Sequence, residues 1–229
     1  MRTKGPKTSL LTVTNSCVLR CKMCHLWRLD TAGSEISLAE CRKFIDSLSR
    51  FDTHPLEVHI IGGESLLKQG IFDLIRYISD QGSRTVMTSC GYTIDESTAE
   101  TIVNSGLSML NLSLDSLDPK VHNFLRGKDD CFQRLMRAMD HLSKVKGNKM
   151  KLGINTIILA KNLDDMTELA EWAQQNSNIA SIYFMAVMRP FGSGLDWDWF
   201  KKEGYSDLWP ADYSRVEAVL EGLITLKNR

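Results

Sequence analysis

The sequence contains no long hydrophobic run and no excess of charge of either sign. No apolar stretch in its 229 residues approaches the roughly 20 that a membrane-spanning helix requires. The run at residues 10–13 is also far too short for the apolar part of a signal peptide. Basic and acidic residues number 28 each, so the formal net charge is zero. Nothing global therefore indicates nucleic acid or an anionic membrane as a partner.

Cysteine is too scarce for a disulfide-rich scaffold, with six residues in the whole chain. Low-complexity segments and long charged tails are also missing from the sequence. Hydrophobic residues make up 43%, which is enough for one sizeable core and does not demand two domains. We therefore expect one globular domain in a reducing, cytoplasmic location.

Three of the six cysteines lie close together: Cys17, Cys21 and Cys24 follow the spacing C-x3-C-x2-C. Three thiolates this close can hold one cubane iron–sulfur cluster at three corners, and the fourth iron then has no protein ligand nearby. Ferredoxin-type sequences use other spacings and supply a fourth cysteine. A structural cluster has no reason to leave a corner open, whereas a catalytic cluster can bind a small molecule there. The spacing therefore predicts a catalytic [4Fe–4S] cluster.

Two other kinds of site use similar spacings. Residues 21–25 also read C-x-x-C-H, the attachment sequence for c-type haem. Haem attachment requires an exported chain, however, and would leave Cys17 unexplained. A zinc site needs a fourth Cys or His close by, and His25 directly follows Cys24, which is poor geometry for sharing one tetrahedral ion. The iron–sulfur interpretation is therefore favoured over both.

β-rich segments alternate with segments of helical periodicity along the chain. The β-rich segments are residues 10–14, 56–61, 85–88, 109–114, 151–158 and 179–187. The helical segments lie at residues 38–48, 71–78, 95–105, 135–142, 162–173 and 216–224. Two helix starts show capping boxes, Ser37 with Glu40 and Thr93 with Glu96. Six β/α units in sequence predict a parallel sheet covered by crossover helices.

The chain length favours an incomplete barrel. A complete barrel of eight β/α units needs about 250 residues. Six units with long loops in 229 residues therefore fit a barrel that is three quarters complete. A doubly wound sheet stays open as an alternative from the pattern alone. Ligands bind at the carboxyl ends of the strands in both architectures. The cysteine loop at residues 15–27 follows the first strand and lies at such an end.

Glycines and polar residues follow the next two strands at the same edge. Gly62 and Gly63 end the second strand, where they let a ligand approach the backbone closely, and the Glu64 carboxylate can receive an ammonium group. The third strand ends at Ser89 and Cys90, and we expect Cys90 to fill core space. These residues predict a polar ligand site beside the cysteine loop.

The fourth and fifth strands contribute further polar candidates. Strand alternation places Ser113 and Asp115 on one face, pointing inward. A buried serine and a buried aspartate need hydrogen-bond partners, which a ligand can supply. The alternative is that they cap the next helix, near Asp118. Asn155 lies inside the fifth strand, where a lone asparagine is as often structural as functional.

Aromatic residues crowd the segment before the last helix: Trp197, Trp199, Phe200, Tyr205 and Trp209. An exposed aromatic loop marks a contact surface, such as a substrate lid or a dock for another domain. A loop folded over the open edge of the barrel explains the same residues equally well.

Taken together, these motifs resemble the radical S-adenosylmethionine (SAM) superfamily. Its cluster loop reads C-x3-C-x-(aromatic)-C, and Met23 takes the aromatic position here, where a large polarizable side chain can pack against an adenine. The glycine pair with Glu64 is similar to the family's Gly-Gly-Glu-Pro, with Ser65 replacing the proline. Residues 113–115, followed by Arg126 and Gly127, resemble its Ser-Leu-Asp…Arg-Gly pattern. The resemblance implies an α/β fold, a partial (β/α)6 TIM-type barrel with a parallel sheet.

The resemblance also implies two cofactors and their ligands. The three clustered cysteines would carry a [4Fe–4S] cluster, and SAM would bind its open iron through amino and carboxylate groups. Glu64 would hold the SAM ammonium, Asn155 the ribose, and the sixth strand the adenine edge. Ser113 and Asp115 would meet the ribose hydroxyls or the SAM carboxylate, and Arg126 would pair with that carboxylate. The full set of implied SAM-binding residues is Met23, Gly62, Gly63, Glu64, Ser113, Asp115, Arg126, Asn155, Met185 and Val187.

The implied activity is reductive cleavage of SAM to a 5′-deoxyadenosyl radical that abstracts hydrogen from a substrate. The substrate is unknown, with maturation of a peptide or a cofactor precursor favoured, and the electron donor would be flavodoxin- or ferredoxin-like. The alternative is a non-catalytic iron–sulfur protein that carries or senses electrons. Many family members continue into a cysteine-rich SPASM-type domain. We therefore expect residues 1–229 to be a core domain, either truncated from a longer protein or working with a partner.

Overall fold

A computed structural model describes residues 5–29, 35–48, 50–51, 55–190 and 196–228. Six strands form one sheet in which every neighbouring pair is parallel. The strands are β1 (Thr8–Thr14), β2 (Glu57–Gly62), β3 (Arg84–Ser89), β4 (Met109–Ser113), β5 (Lys151–Ile158) and β6 (Ile179–Ala186). All six predicted β-rich segments are therefore strands, with ends shifted by at most two residues.

Seven α-helices lie in the described part of the chain. They are α1 (Leu38–Leu48), α2 (Ile71–Asp80), α3 (Glu96–Asn104), α4 (Pro119–Arg126), α5 (Cys131–Val145), α6 (Met166–Gln175) and α7 (Tyr213–Lys227). Helix α4 is missing from the predicted periodic segments. It is only eight residues long, and Leu125 is its one fully buried aliphatic residue, so the apolar pattern is too short to mark a helix by itself. No described helix is long and apolar enough to cross a membrane.

The strand order distinguishes the two architectures that the sequence pattern leaves open. The strands lie side by side in chain order, from β1 at one edge to β6 at the other. A doubly wound sheet reverses its strand order at a switch point, and no such reversal occurs here. The fold is therefore a partial TIM-type barrel of six β/α units, which confirms the predicted fold class.

The two faces of the sheet differ in polarity. One face is apolar and packs against the helices, as Ile60 of β2 and Leu112 of β4 show by their complete burial. Burying such a side chain contributes roughly 1.5–3 kcal/mol to folding. The opposite face carries polar residues, among them His59 of β2, Asn111 of β4 and Asn155 of β5. The polar side chains on this face of the sheet form a surface that a ligand can contact.

The helix starts confirm one predicted capping box and correct the other. The backbone N–H of Ser37 donates to Glu40 Oε2 at 2.8 Å, and the N–H of Glu40 donates to Ser37 Oγ at 3.2 Å. Helix α3 is instead capped by Asp95, whose carboxylate accepts from the Thr98 N–H at 2.8 Å. The prediction of Thr93 as the cap is wrong, because the helix begins directly after Asp95.

Candidate functional site

The three clustered cysteines lie on the loop that follows β1, at the carboxyl end of the sheet. Cys21 is buried, whereas Cys17 and Cys24 are half-buried, and all six cysteines of the chain are free thiols. Burial raises the pKa of Cys21 to about 12 and also raises that of Cys17. The thiols of Cys17 and Cys21 are therefore protonated at neutral pH, and a metal must displace those protons on binding.

The residue types on this loop suit an iron–sulfur cluster. Within the described ranges, no three His, Cys, Asp or Glu side chains are close enough to share one metal ion. A cubane cluster needs no such convergence, because each thiolate binds a different iron. Three free thiols on one short loop therefore match the donor set of a [4Fe–4S] cluster with three protein ligands.

The last turn of helix α4 contacts the cysteine loop through backbone hydrogen bonds. The backbone N–H of Arg20 donates to the carbonyl of Arg126 at 3.3 Å, and that of Lys22 donates to the carbonyl of Leu125 at 2.8 Å. Gly127 ends the helix with φ at +73° and lies directly against the Arg20 carbonyl. A Cβ atom at this position would collide with that carbonyl, so only glycine permits this approach.

The end of β2 supports the loop from the other side. The N–H of Gly63 donates to the Thr14 carbonyl at 2.7 Å, and the N–H of Glu64 donates to the Ser16 carbonyl at 2.8 Å. A Cβ atom at Gly62 or Gly63 would collide with these carbonyls. The close neighbour of the glycine pair is the chain's own backbone, and the contact of Gly62 and Gly63 with a ligand stays a prediction.

Glu64 is buried with only 1% of its surface exposed, beside the cysteine loop. Its Oε2 accepts from the backbone N–H of Cys90 at 2.8 Å, and its Oε1 accepts from that of Leu66 at 3.4 Å. Cys90 packs in the same apolar cluster as Cys17 and Cys24 but is half-buried, so it lies at the site and not in the main core. Each carboxylate oxygen accepts more than one hydrogen bond, so Glu64 retains capacity for an ammonium ligand.

Asp115 and Arg126 form a buried ion pair beneath the cysteine loop. Asp115 Oδ2 lies 2.7 Å from Arg126 Nε, and Asp115 Oδ1 accepts from the Ile157 N–H at 3.1 Å. Asn162 holds the same segment by donating from Nδ2 to the Asp115 carbonyl at 2.7 Å. Asp115 Oδ2 and Arg126 Nε are close enough for an ion pair, but neither atom makes a hydrogen bond within the described residues. The prediction that a ligand satisfies these two charged side chains therefore stays a prediction. Removing one partner of such a pair costs about 3–5 kcal/mol.

The remaining candidates lie on two neighbouring surfaces. Ser113 and Asn155 are register partners on β4 and β5, and Asn155 Nδ2 donates to Thr88 Oγ1 at 3.2 Å on the polar face of the sheet. Met23 and Val187 meet in the apolar cluster that packs around the cysteine loop. Met185 is more open, with 38% of its surface exposed on the edge strand β6. The structure thus brings the polar and apolar candidates to one end of the sheet.

The aromatic segment folds over this end of the sheet. Trp199, Tyr205 and Trp209 pack against the apolar cluster around the cysteine loop, and the two tryptophan rings lie 5.7 Å apart. The carbonyl of Leu208 accepts from the Ala160 N–H at 2.9 Å, beyond the end of β5. Of the two interpretations, the loop folded over the barrel is the one these contacts support, although Trp197 is 87% exposed.

Sequence reasoning missed Glu35, a residue that fixes the start of the cysteine loop. Glu35 Oε1 accepts from Thr14 Oγ1 at 2.5 Å and from the Asn15 N–H at 3.0 Å, and Lys68 Nζ lies 3.1 Å from its Oε2. The hydrogen bond from Thr14 is the main cause that lowers the pKa of Glu35 to about 2. No sequence signal marks this role, because Glu35 lies 21 residues from Thr14 and outside any motif.

Comparison with known sequences gives a consistent set of relatives. The family model described as "Radical SAM superfamily" matches residues 11–173. The AdoMet-dependent heme synthase of Methanosarcina barkeri is 26% identical over 215 residues, which are 93% of this chain and 57% of that protein. The mycofactocin maturase MftC of Mycolicibacterium smegmatis is 27% identical over 191 residues, 81% of this chain and 46% of that protein.

Solved structures of other proteins share the fold of this chain. The crystal structure of Streptococcus suis SuiB bound to S-adenosylmethionine has a TM-score of 0.73 and 20% identity. The match covers 97% of this chain and 48% of SuiB. At this identity the similarity shows the fold alone. The chain spans about half the length of the relatives and structures that it matches.

The contact of Gly127 with the cysteine loop predicts a specific loss of stability. In Gly127→Ala, the left-handed backbone costs about 1–2 kcal/mol, and the collision with the Arg20 carbonyl adds about 1–3 kcal/mol. Gly82→Ala is the matched control, since Gly82 has φ at +75° and no atom within 4 Å of its Cβ position. Urea unfolding of both variants should show the larger loss for Gly127→Ala, and equal losses would contradict the contact.

Proposed function

Because this chain belongs to the radical SAM superfamily, we propose that it binds a [4Fe–4S] cluster through Cys17, Cys21 and Cys24 and cleaves SAM reductively. The observation that carries the proposal is the buried Glu64 carboxylate at the start of the loop that carries three free thiols, where the Glu64 N–H donates to the Ser16 carbonyl. The superfamily uses both cofactors. An electron-transfer protein has no need for a buried carboxylate and a polar wall next to its cluster, so the non-catalytic alternative has less support.

When bound, the cluster and SAM together supply one-electron cleavage of a C–S bond, which yields methionine and a 5′-deoxyadenosyl radical that abstracts hydrogen from a substrate. The chain's own residues orient the cofactor and exclude water. The Glu64 carboxylate would accept hydrogen bonds from the ammonium group of SAM. Two backbone N–H groups already hold this carboxylate in place. A carboxylate that is held in place before binding loses little entropy when the ligand arrives.

The other ends of SAM are assigned to the two surfaces beside the cysteine loop. Ser113 and Asn155 on the polar face are the partners for ribose hydroxyls. Met23 and Val187 offer an apolar contact for the adenine, and Met185 lies near the same end of β6. Asp115 and Arg126 pair with each other, and we propose Asp115 as a further partner for the ribose or the SAM carboxylate and Arg126 as a partner for that carboxylate.

Radical SAM enzymes need an electron donor and a substrate. We propose a flavodoxin- or ferredoxin-like donor, and the exposed cations Arg20 and Lys22 on the cysteine loop support an acidic partner. For the substrate we propose a peptide or a cofactor precursor, in line with relatives named as a maturase and a heme synthase. Six free thiols support a reducing, cytoplasmic location.

We also propose that residues 1–229 are the core domain of a longer protein or act with a partner protein. The relatives and the similar structures are about twice as long as the part that matches. Apolar residues of β6 and α7 support this proposal, since Tyr183 is 50% exposed and Ile224 is 59% exposed. Exposed apolar surface of this kind is typical of a face that another domain covers.

The cluster assignment predicts the metal content. Anaerobic reconstitution with iron and sulfide should give about four iron atoms per chain, the content of one cubane. The triple variant Cys17→Ala, Cys21→Ala, Cys24→Ala should retain almost none. Cys41→Ala is the control, because Cys41 lies in the core of α1 and away from the loop. One tightly bound zinc per chain without iron uptake would contradict the assignment.

The role of Glu64 predicts the affinity for SAM. Glu64→Gln keeps the shape of the side chain but removes its charge, and a charge-assisted hydrogen bond is worth about 1.5–3 kcal/mol. Calorimetric titration of the cluster-loaded variant should therefore show SAM binding about tenfold weaker or more, with the iron content unchanged. The control is Glu57→Gln, which alters a glutamate at the opposite end of the same strand. The assignment fails if Glu64→Gln binds SAM as tightly as the native chain.

A further inference from the structure

The cysteine loop and helix α4 share a surface that is rich in cations. All are exposed except the half-buried Lys128, and they are Arg20, Lys22, Arg28, Lys120 and Lys128. In the described part of the chain, none of them forms an ion pair. Residues 15–28 hold no acidic side chain, and on the α4 side Asp118 is engaged as the helix cap. The unpaired cations therefore present a positive field to solvent.

An exposed aromatic ring joins the loop to the helix on this surface. Lys22 Nζ lies 5.2 Å from the centre of the Phe124 ring, which connects the cysteine loop to α4. Phe124 is 48% exposed, although it is a large apolar side chain. Lys120 precedes Phe124 by four residues and so lies on the same face of the helix. The surface thus has an apolar centre with cations around it.

Trp27 connects the same surface to a predicted cluster ligand. The guanidinium carbons of Arg20 and Arg28 lie 5.1 and 4.6 Å from the centre of its ring. Its indole Nε1 donates to the carbonyl of Cys21 at 3.4 Å, and the side chain is half-buried. A protein docked on these cations would therefore approach the backbone of a cluster ligand across a single indole ring.

We propose that this surface docks an acidic flavodoxin, which reduces the cluster. Carboxylates on the partner would match the cations, and the apolar edge of a flavin ring would match Phe124. One electron would pass from the flavin hydroquinone to the cluster and leave the flavin as a semiquinone. The surface is separate from the polar sheet face, which stays free for SAM and substrate. The inference rests on the proposed function and adds the place where the electron enters.

The first measurement is calorimetric binding of oxidised flavodoxin to the chain at low salt, where charges are weakly screened. The double variant Lys22→Glu, Lys120→Glu should bind about tenfold more weakly or worse, because it replaces attraction with repulsion. The matched control is Lys43→Glu, Lys146→Glu, which makes the same change in charge on α1 and directly after α5. This control should bind flavodoxin like the native chain.

The second measurement is the rate at which flavodoxin hydroquinone reduces the cluster, followed as the loss of visible absorbance in a stopped-flow instrument. The rate should fall about tenfold or more in Lys22→Glu, Lys120→Glu, and in the native chain it should fall as salt is added. Photoreduced deazaflavin is a small reductant that needs no docking, so it should reduce both chains equally fast. Native binding and native reduction by flavodoxin in this variant would overturn the proposal.

The two measurements separate this proposal from the proposed function. A chain that takes up no cluster but binds flavodoxin through these lysines would refute the function and support the surface. A loaded chain that deazaflavin reduces, but that flavodoxin neither binds nor reduces, would overturn the surface alone. Equal slowing by both reductants in Lys22→Glu, Lys120→Glu would also overturn it, because the substitutions would then act on the cluster itself.

Discussion

Contact between backbones at the cysteine loop is the constraint on which the rest of the site depends. The loop is held at its start by the end of β2 and at its centre by the end of α4. Gly63 and Gly127 allow both approaches, because neither position has room for a Cβ atom. Two separate β/α units thereby fix one short loop. The positions of the three thiols follow from the barrel as a whole and not from the loop's own sequence.

The same two supports bring opposite charges to the loop. The end of β2 carries Glu64, whose carboxylate is fixed by the N–H groups of Leu66 and Cys90. The end of α4 carries Arg126, whose Nε lies 2.7 Å from Asp115 Oδ2. In the proposed function the Glu64 carboxylate receives the ammonium group of SAM.

The sequence predicts the fold well because strand and helix periodicities are strong and the motifs fall at strand ends. The sequence pattern does not show the order of the strands in the sheet, because strand order is a long-range property. The structure supplied this order, which excludes a doubly wound sheet. Helix α4 lies outside the predicted periodic segments because its eight residues give only a short pattern, although a helix near Asp118 was expected. The cap of α3 was misassigned by two residues, since both Thr93 and Asp95 are good N-cap residues and local pattern cannot separate them.

Site residues were predictable where a motif marks them, and their partners were not. The cysteine spacing and the Gly-Gly-Glu motif located the site, but the reason for the glycines became clear only from their contact with the loop backbone. Asp115 and Arg126 form an ion pair with each other, and nothing in the sequence signals a pair between residues 11 positions apart. Glu35 and Asn162 act through contacts that no motif signals.

The most direct test of the central claim is the formation of 5′-deoxyadenosine by the reduced protein. The reconstituted chain is reduced with dithionite under anaerobic conditions, mixed with SAM and sampled over time by liquid chromatography. The account predicts slow formation of 5′-deoxyadenosine and methionine without substrate, at a rate that falls in Glu64→Gln and to background in the triple cysteine variant. A loaded and fully reduced cluster that yields no 5′-deoxyadenosine would contradict it.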